Sequence, residues 1–182
     1  SENRAQLRKL QAKYPVRLVC VKGLTQGACC TALAARSEIP RDDAVVFVDS
    51  DNIFGNNTLS GFIQDALNRK LDGSLLTVKS DKSCFSYAKT NLEGLVTETK
   101  EKEVISDHAI AGAYLFRCGK DFIEFAIDLM IYGDKSKNEY YMSGVYNRAV
   151  LRGLRIGIYE INHSDWECVG TPEQLQAYLA TL

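Results

Sequence analysis

Residues 44–55, AVVFVDSDNIFG, constrain this chain more than any other segment. An apolar, β-branched run, Ala44 to Val48, ends abruptly in two carboxylates, Asp49 and Asp51. Such a run predicts a strand buried on both faces, as in a mostly parallel α/β sheet. Open sheets of that kind bind ligands just beyond the carboxyl ends of their strands. Two acids at such a place suit a hard divalent cation, and the cation in turn suits phosphates. The competing reading is a plain turn, since Asp and Asn are common turn residues.

The bulk numbers fit this picture. A chain of 182 residues with 46% hydrophobic and 25% charged residues fits one domain, 1–182. The 22 basic and 23 acidic residues nearly balance, and the basic ones form no stripe, which argues against nucleic acid as a bulk partner. No apolar run reaches the length of a membrane span, and no signal peptide is visible. Six cysteines, at 20, 29, 30, 84, 118 and 168, form no C-x-x-C, and only two histidines could help them. Reduced thiols in a cytoplasmic protein are therefore expected, and a zinc site is not.

Periodicity places the elements. Ala5–Tyr14 predicts a short surface helix, Val16–Val21 a strand, Ala28–Arg36 a helix and Ala44–Val48 the strand described above. Leu59, Phe62, Ile63, Ala66, Leu67 and Leu71 share a helix face, and Ser74–Val78 is again strand-like. The alternation implies crossovers and parallel pairing of these three strands. The pattern then changes. Ser86–Thr90 and Leu95–Thr99 flank the turn 91–94 and predict a hairpin, followed by a strand at Ala111–Phe116. Helices are expected at Gly119–Tyr132 and Tyr141–Arg152, and a strand at Ile156–Ile161. A last helix opens at Thr171-Pro172, with Thr171 as N-cap. The fold class expected is three-layer α/β, a mixed, mostly parallel sheet flanked by helices.

Other candidates for chemistry are modest one by one. Gln26-Gly27 stands at the mouth of a helix, where bare backbone and N–H groups favour anions. Lys102 could act as a point charge for a phosphate, although Lys100 to Glu103 alternate in sign like a solvated face. Glu139 precedes two tyrosines suited to packing or to hydroxyl contacts. Trp166, the only tryptophan, stands beside acids and before Gly170-Thr171-Pro172-Glu173.

The order of these features resembles the sugar-phosphate nucleotidyltransferases, the nucleotide-sugar pyrophosphorylase family. The resemblance runs from about Val16 onward: Gln26-Gly27, Asp51-Asn52-Ile53-Phe54, Glu101-Lys102, residues 111–116 (AGAYLF), and Trp166 with the Gly-Thr-Pro-Glu ending. It implies a nucleotide-diphospho-sugar transferase-like, Rossmann-like fold. It also implies nucleotidyl transfer from a nucleoside triphosphate to a sugar phosphate, or to a polyol phosphate or similar acceptor, with release of pyrophosphate. The implied cofactor is Mg²⁺, or Mn²⁺, on Asp51 with Asp49 as a second ligand. By the same resemblance Asp51 and Lys102 are catalytic, while Gln26, Gly27, Glu101, Gly112 and Glu139 bind substrate. Polysaccharide synthesis is the implied setting, with a homo-oligomer left open.

Two departures qualify this. A second metal-binding Asp is expected two residues after the tryptophan, but Cys168 stands there, and hard cations prefer oxygen. Asp165, Glu167 or Asp49 are the available substitutes. The family's first strand and Gly-rich loop should precede Val16, and nothing there matches. The expectation is a domain without that element, which then lies outside this sequence or has been lost together with activity. Two alternatives stay open: a metal-dependent glycosyltransferase using Asp49-Ser50-Asp51, and a non-catalytic domain that binds a nucleotide-sugar.

Overall fold

The computed structural model describes residues 2–133 and 135–182. The centre is β6 (His108–Phe116), nine residues that are almost wholly buried. On one side it pairs along its length with β3 (Gly73–Lys79). On the other it pairs with β1 (Val45–Val48) at residues 113–116 and with β4 (Ser86–Thr90) at Ala109. The hairpin partner β5 (Val96–Glu101) extends the sheet beyond β4, and β7 (Ile156–Ile161) extends it beyond β3. Within this 6-stranded sheet β1, β3, β4 and β7 run one way, and β5 and β6 run the other.

Helices cover both faces, which gives the three layers expected. Alternation along β3 and β6 assigns the faces. Leu75, Ile110, Tyr114 and Phe116 point into one core, with α4 (Gly119–Tyr132) and α5 (Met142–Leu151) supplying Phe122, Phe125, Val145 and Tyr146. Leu76, Val78, Ala109, Ala111, Ala113 and Leu115 point into the other, where α3 (Thr58–Asn68) lays down Phe62 and Ala66. The small alanines of β6 leave room for the fully buried Phe62 ring. Burying such a side chain contributes roughly 1.5–3 kcal/mol. The Tyr146 hydroxyl, inside the first core, donates to the Leu115 carbonyl at 2.9 Å, so its polar end is satisfied there.

Three sequence expectations change. Val16–Val21 is not a strand: it has no regular secondary structure, and Val16, Leu18, Val19 and Val21 stay 40–44% exposed. A β-branched run forms a strand only where a ladder offers partners, and none of the described strands pairs with it. The expected parallel neighbours Ala44–Val48 and Ser74–Val78 run in the same direction but flank β6, and each is antiparallel to it. The directly parallel pair among the described strands is β3–β7. The third change is an added ribbon, β2 (Asn52–Phe54) against β8 (Trp166–Cys168). Strands of three residues are too short for alternation to announce them.

The remaining elements lie close to where periodicity put them. They are α1 (Glu2–Lys13), α2 (Ala28–Ala34) and α6 (Pro172–Leu179). At α6 Thr171 is the N-cap of a full capping box: its hydroxyl accepts from Gln174 N at 3.2 Å, and Gln174 Oε1 accepts from Thr171 N at 2.9 Å.

Candidate functional site

A cavity of about 680 Å³ opens past the end of β1. Its floor is made by a break in β6. The β3–β6 register passes from Leu75 opposite Tyr114 to Thr77 opposite Ile110, so β6 carries extra residues there. Gly112, at the bulge, has φ +74, a conformation that only glycine adopts freely. The bulge turns the Gly112 carbonyl toward β1, where it accepts from Asp49 N at 2.8 Å. It also lays bare backbone against two side chains. A Cβ here would fall on the Asn52 amide nitrogen and 3.1 Å from Asp49 Oδ2.

The two acids differ in surroundings. Asp49 is half-buried, and Tyr114 Oη donates to its Oδ2 at 3.3 Å. Burial first, and the neighbouring Asp51 charge second, push the Asp49 carboxyl up to about 6, against which the Tyr114 hydrogen bond acts. Tyr114 is pushed well above the usual phenol range by burial and by the Asp49 charge. Asp51 is exposed. Its carbonyl accepts from Val169 N at 2.8 Å, which ties the Asp51 turn to the β8 segment, and its Oδ1 accepts from Asn52 Nδ2 at 3.1 Å.

The same cavity is lined by Glu101, the last residue of β5, and by Lys102, which follows it. The Glu101 carboxylate accepts from the Ser86 hydroxyl and, at 3.1 Å, from the Ser143 hydroxyl. Lys102 is the one cation lining the cavity among the described residues. It has φ +55 and holds its ammonium 5.5 Å from the centroid of the Tyr141 ring. A non-glycine residue with positive φ beside a cleft is a local strain of the sort that collects at functional sites. A smaller hollow of about 420 Å³ adjoins the first, with Glu101 and Tyr141 lining both.

The sequence candidates are distributed as follows. Asp49, Asp51, Glu101, Lys102 and Gly112 line the larger cavity together. Glu139 lines the smaller one. Gln26 and Gly27 line neither; their neighbour Ala28 reaches the larger. Gly27 has a structural reason for its bareness, since a Cβ would collide with the Tyr140 backbone. Tyr140 N donates to the Gln26 carbonyl at 2.7 Å on the same crossing. Cys168 does stand at the cavity, whereas Asp165 and Glu167 line a separate depression beside Ile53. Of the three substitutes for the expected second acid, Asp49 is therefore the one that shares the cavity with Asp51.

Sequence reasoning passed over Ser86, Tyr114 and Ser143, which orient the acids from β4, β6 and α5. No local pattern marks them, because each is an ordinary inward position of its element.

The donor set fits a magnesium-like cation. Such ions take one or two carboxylates and keep several waters. Among the described residues no group of three or more His, Cys, Asp and Glu gathers that could enclose a metal by itself. Among the described residues, too, no helix is long and apolar enough to cross a membrane.

No protein-family model and no curated protein matches the chain. Solved structures do. The nucleoside-diphosphate-sugar pyrophosphorylase from Vibrio cholerae RC9 superposes with a TM-score of 0.81 at 18% identity, over 98% of this chain and 76% of that one. A protein assigned as a glucose-1-phosphate thymidylyltransferase from Bacillus anthracis, crystallised with sucrose, gives 0.69 at 22% identity. There the match covers 89% of this chain and 63% of the other, so this chain spans under two thirds of that protein's length. At such identities the likeness establishes architecture: the chain has the mixed α/β fold of that pyrophosphorylase and that thymidylyltransferase.

Proposed function

We propose that the larger cavity is a nucleotidyl-transfer site. It would join a nucleoside triphosphate to a phosphorylated sugar, polyol or similar acceptor. The observation that carries this reading is the meeting of Asp49 and Asp51 with Lys102 in one cavity of about 680 Å³. The acceptor's phosphate oxygen attacks the α-phosphorus. The bond from that phosphorus to the bridging oxygen breaks, and pyrophosphate leaves.

Asp49 and Asp51 would hold Mg²⁺ or Mn²⁺, and the ion when bound neutralises phosphate charge. The protein's own part is positioning and charge placement. Lys102 lines the same cavity as the acids and meets the phosphate of the acceptor as a point charge. Glu101, oriented by Ser86 and Ser143, presents a carboxylate to sugar hydroxyls, and Gly112 lines the same cavity with its bare face taken up by the Asn52 amide. Glu139 in the adjoining hollow accepts from a more distant hydroxyl, whereas Gln26 and Gly27, which line neither hollow, are given no contact. The fold shared with the pyrophosphorylase supports the reading.

A second reading has one observation behind it. Both acids of Asp49-Ser50-Asp51 line the cavity, as a metal-dependent glycosyltransferase requires. One assay separates the two. The chain is incubated with each nucleoside triphosphate, Mg²⁺ and a panel of sugar and polyol phosphates, and with nucleotide-sugars and free sugars in parallel. Pyrophosphate release that depends on the acceptor supports nucleotidyl transfer. Nucleoside diphosphate release supports the alternative. Binding of a nucleotide-sugar with neither product would mark a binding domain.

A further inference from the structure

The indole of Trp166 and the carboxylate of Asp51 are joined through one side chain. Trp166 Nε1 donates to Asn52 Oδ1 at 2.7 Å. Asn52 Nδ2 donates to Asp51 Oδ1 at 3.1 Å. An indole nitrogen is a donor only, so the Asn52 oxygen must face it. That settles the orientation of the amide, which is otherwise ambiguous by a flip. With the oxygen committed to Trp166, the NH₂ group has to point toward Asp51 and the bare face of Gly112.

The scaffold around this relay leaves it little freedom. Asn52 and Trp166 belong to the β2–β8 ribbon, in which Asn52 pairs with Cys168 and Phe54 with Trp166. The Trp166 ring packs edge-on against Phe85 at 5.5 Å between centroids. A Cβ at Gly112 would overlap the Asn52 amide, so the glycine is what makes space for it. Both Asn52 and Trp166 line the cavity that holds the two acids.

We infer that Asn52, its amide locked by the Trp166 indole, is a positioning residue that fixes the Asp51 carboxylate for cation binding. This rests on the proposed role of Asp51 and goes beyond it. One Asp51 oxygen, Oδ1, is occupied by the amide, so the other, Oδ2, would be left to hold the ion. Hydrogen bonds that orient metal ligands commonly change metal affinity by about 10–100-fold when removed. The inference also gives the lone tryptophan of the chain a role that packing alone does not supply.

The probe is Mn²⁺ alone, titrated against the folded chain and followed by the electron paramagnetic resonance of the free ion. Trp166→Phe keeps a ring against Phe85 but removes the indole N–H. It should weaken Mn²⁺ binding about tenfold or more, while circular dichroism still shows the folded state. Asn52→Leu removes the donor to Asp51 and should weaken binding at least as much. Asp51→Asn marks the floor. In the wild-type chain, paramagnetic Mn²⁺ should quench the Trp166 fluorescence with the same midpoint. A purely structural role would lower the melting temperature and leave Mn²⁺ affinity as it was, and that result for Trp166→Phe overturns the inference while sparing the site. A wild-type chain that binds no Mn²⁺ overturns both.

Discussion

Tyr114 donates its hydroxyl to Asp49 Oδ2 at 3.3 Å, from a ring buried in the core to an acid at the cavity floor. The bond joins the interior of the sheet to the first carboxylate after β1. It does not offset the cost of burying that charge, because the Asp49 carboxyl still sits at about 6.

A pH-dependent stability follows from this. The folded chain holds the Asp49 proton more tightly than an unfolded chain, whose ordinary value is 3.8. Between those values the native state binds more protons, so stability falls as pH rises through the window. The penalty is complete above about pH 6 and absent below about pH 4. Asp49→Asn should therefore melt several degrees above the wild type at pH 7.5, given roughly 2–4 °C per kcal/mol for a chain of this size. The gap should close by pH 4. Differential scanning calorimetry across that range checks it, and a gap that persists at pH 4 would be wrong for this cause.

Gly112→Ala should damage the site and the fold together. The substitution meets φ +74 and forces the Asn52 amide away from Asp51. A cost of about 1–3 kcal/mol is expected from strain and displacement. Thermal melting reads the stability, and Mn²⁺ titration reads the loss of the acid pair. Gly153→Ala is a useful contrast. It also has positive φ, at +82, but nothing lies within 4 Å of its Cβ, so it should cost stability without touching metal binding.

Lys102→Met keeps the length of the side chain and removes its charge. Under the proposed reaction it should lower turnover per acceptor phosphate about 100-fold, on the scale of losing one electrostatic contact at a reacting group. Mn²⁺ affinity should not fall, because the lysine repels the ion and does not ligate it. Steady-state assay of pyrophosphate release, beside the Mn²⁺ titration, separates the two effects.

Thr171→Ala removes one half of the capping box of α6. The expected loss is about 1 kcal/mol. Because α6 follows closely on β8, and Cys168 and Gly170 between them wall the cavity, hydrogen exchange should quicken in α6 and β8 ahead of the central sheet. Uniform quickening across β3 and β6 would argue that the cap serves the whole domain.

Much of this architecture could be read in advance because its signals are local. Thr171-Pro172 announces a helix start by itself, and the Phe62–Ala66 face announces which side of α3 is buried. The position of Asp49 and Asp51 past the end of β1 was legible because an apolar run that stops at acids marks a strand end, whether a turn or a ligand follows. What escaped depends on partners far along the chain. Val16–Val21 has every local mark of a strand but no ladder to join. Gly27 looked like a ligand-facing glycine, and its immediate constraint is the Tyr140 backbone passing over it. Asn52 drew no separate notice, since its role needs Trp166, 114 residues away. The separation of Glu139 into the second hollow depends on how α5 packs beside β5, which no window of sequence contains.

The outer side of β1 is worth following to its consequence. Among the described strands its ladder runs to β6 alone, and Val48 at its end is 43% exposed. A valine-rich border with free amide and carbonyl groups is a template for any extended chain that meets it. No lysine or proline interrupts residues 44–48; the acids at Asp43 and Asp49 stand at either end like gatekeepers. One of those guards discharges near pH 6. Mild acidification of a concentrated sample therefore removes part of the repulsion that keeps such borders apart, and turbidity should appear there well before the fold itself gives way.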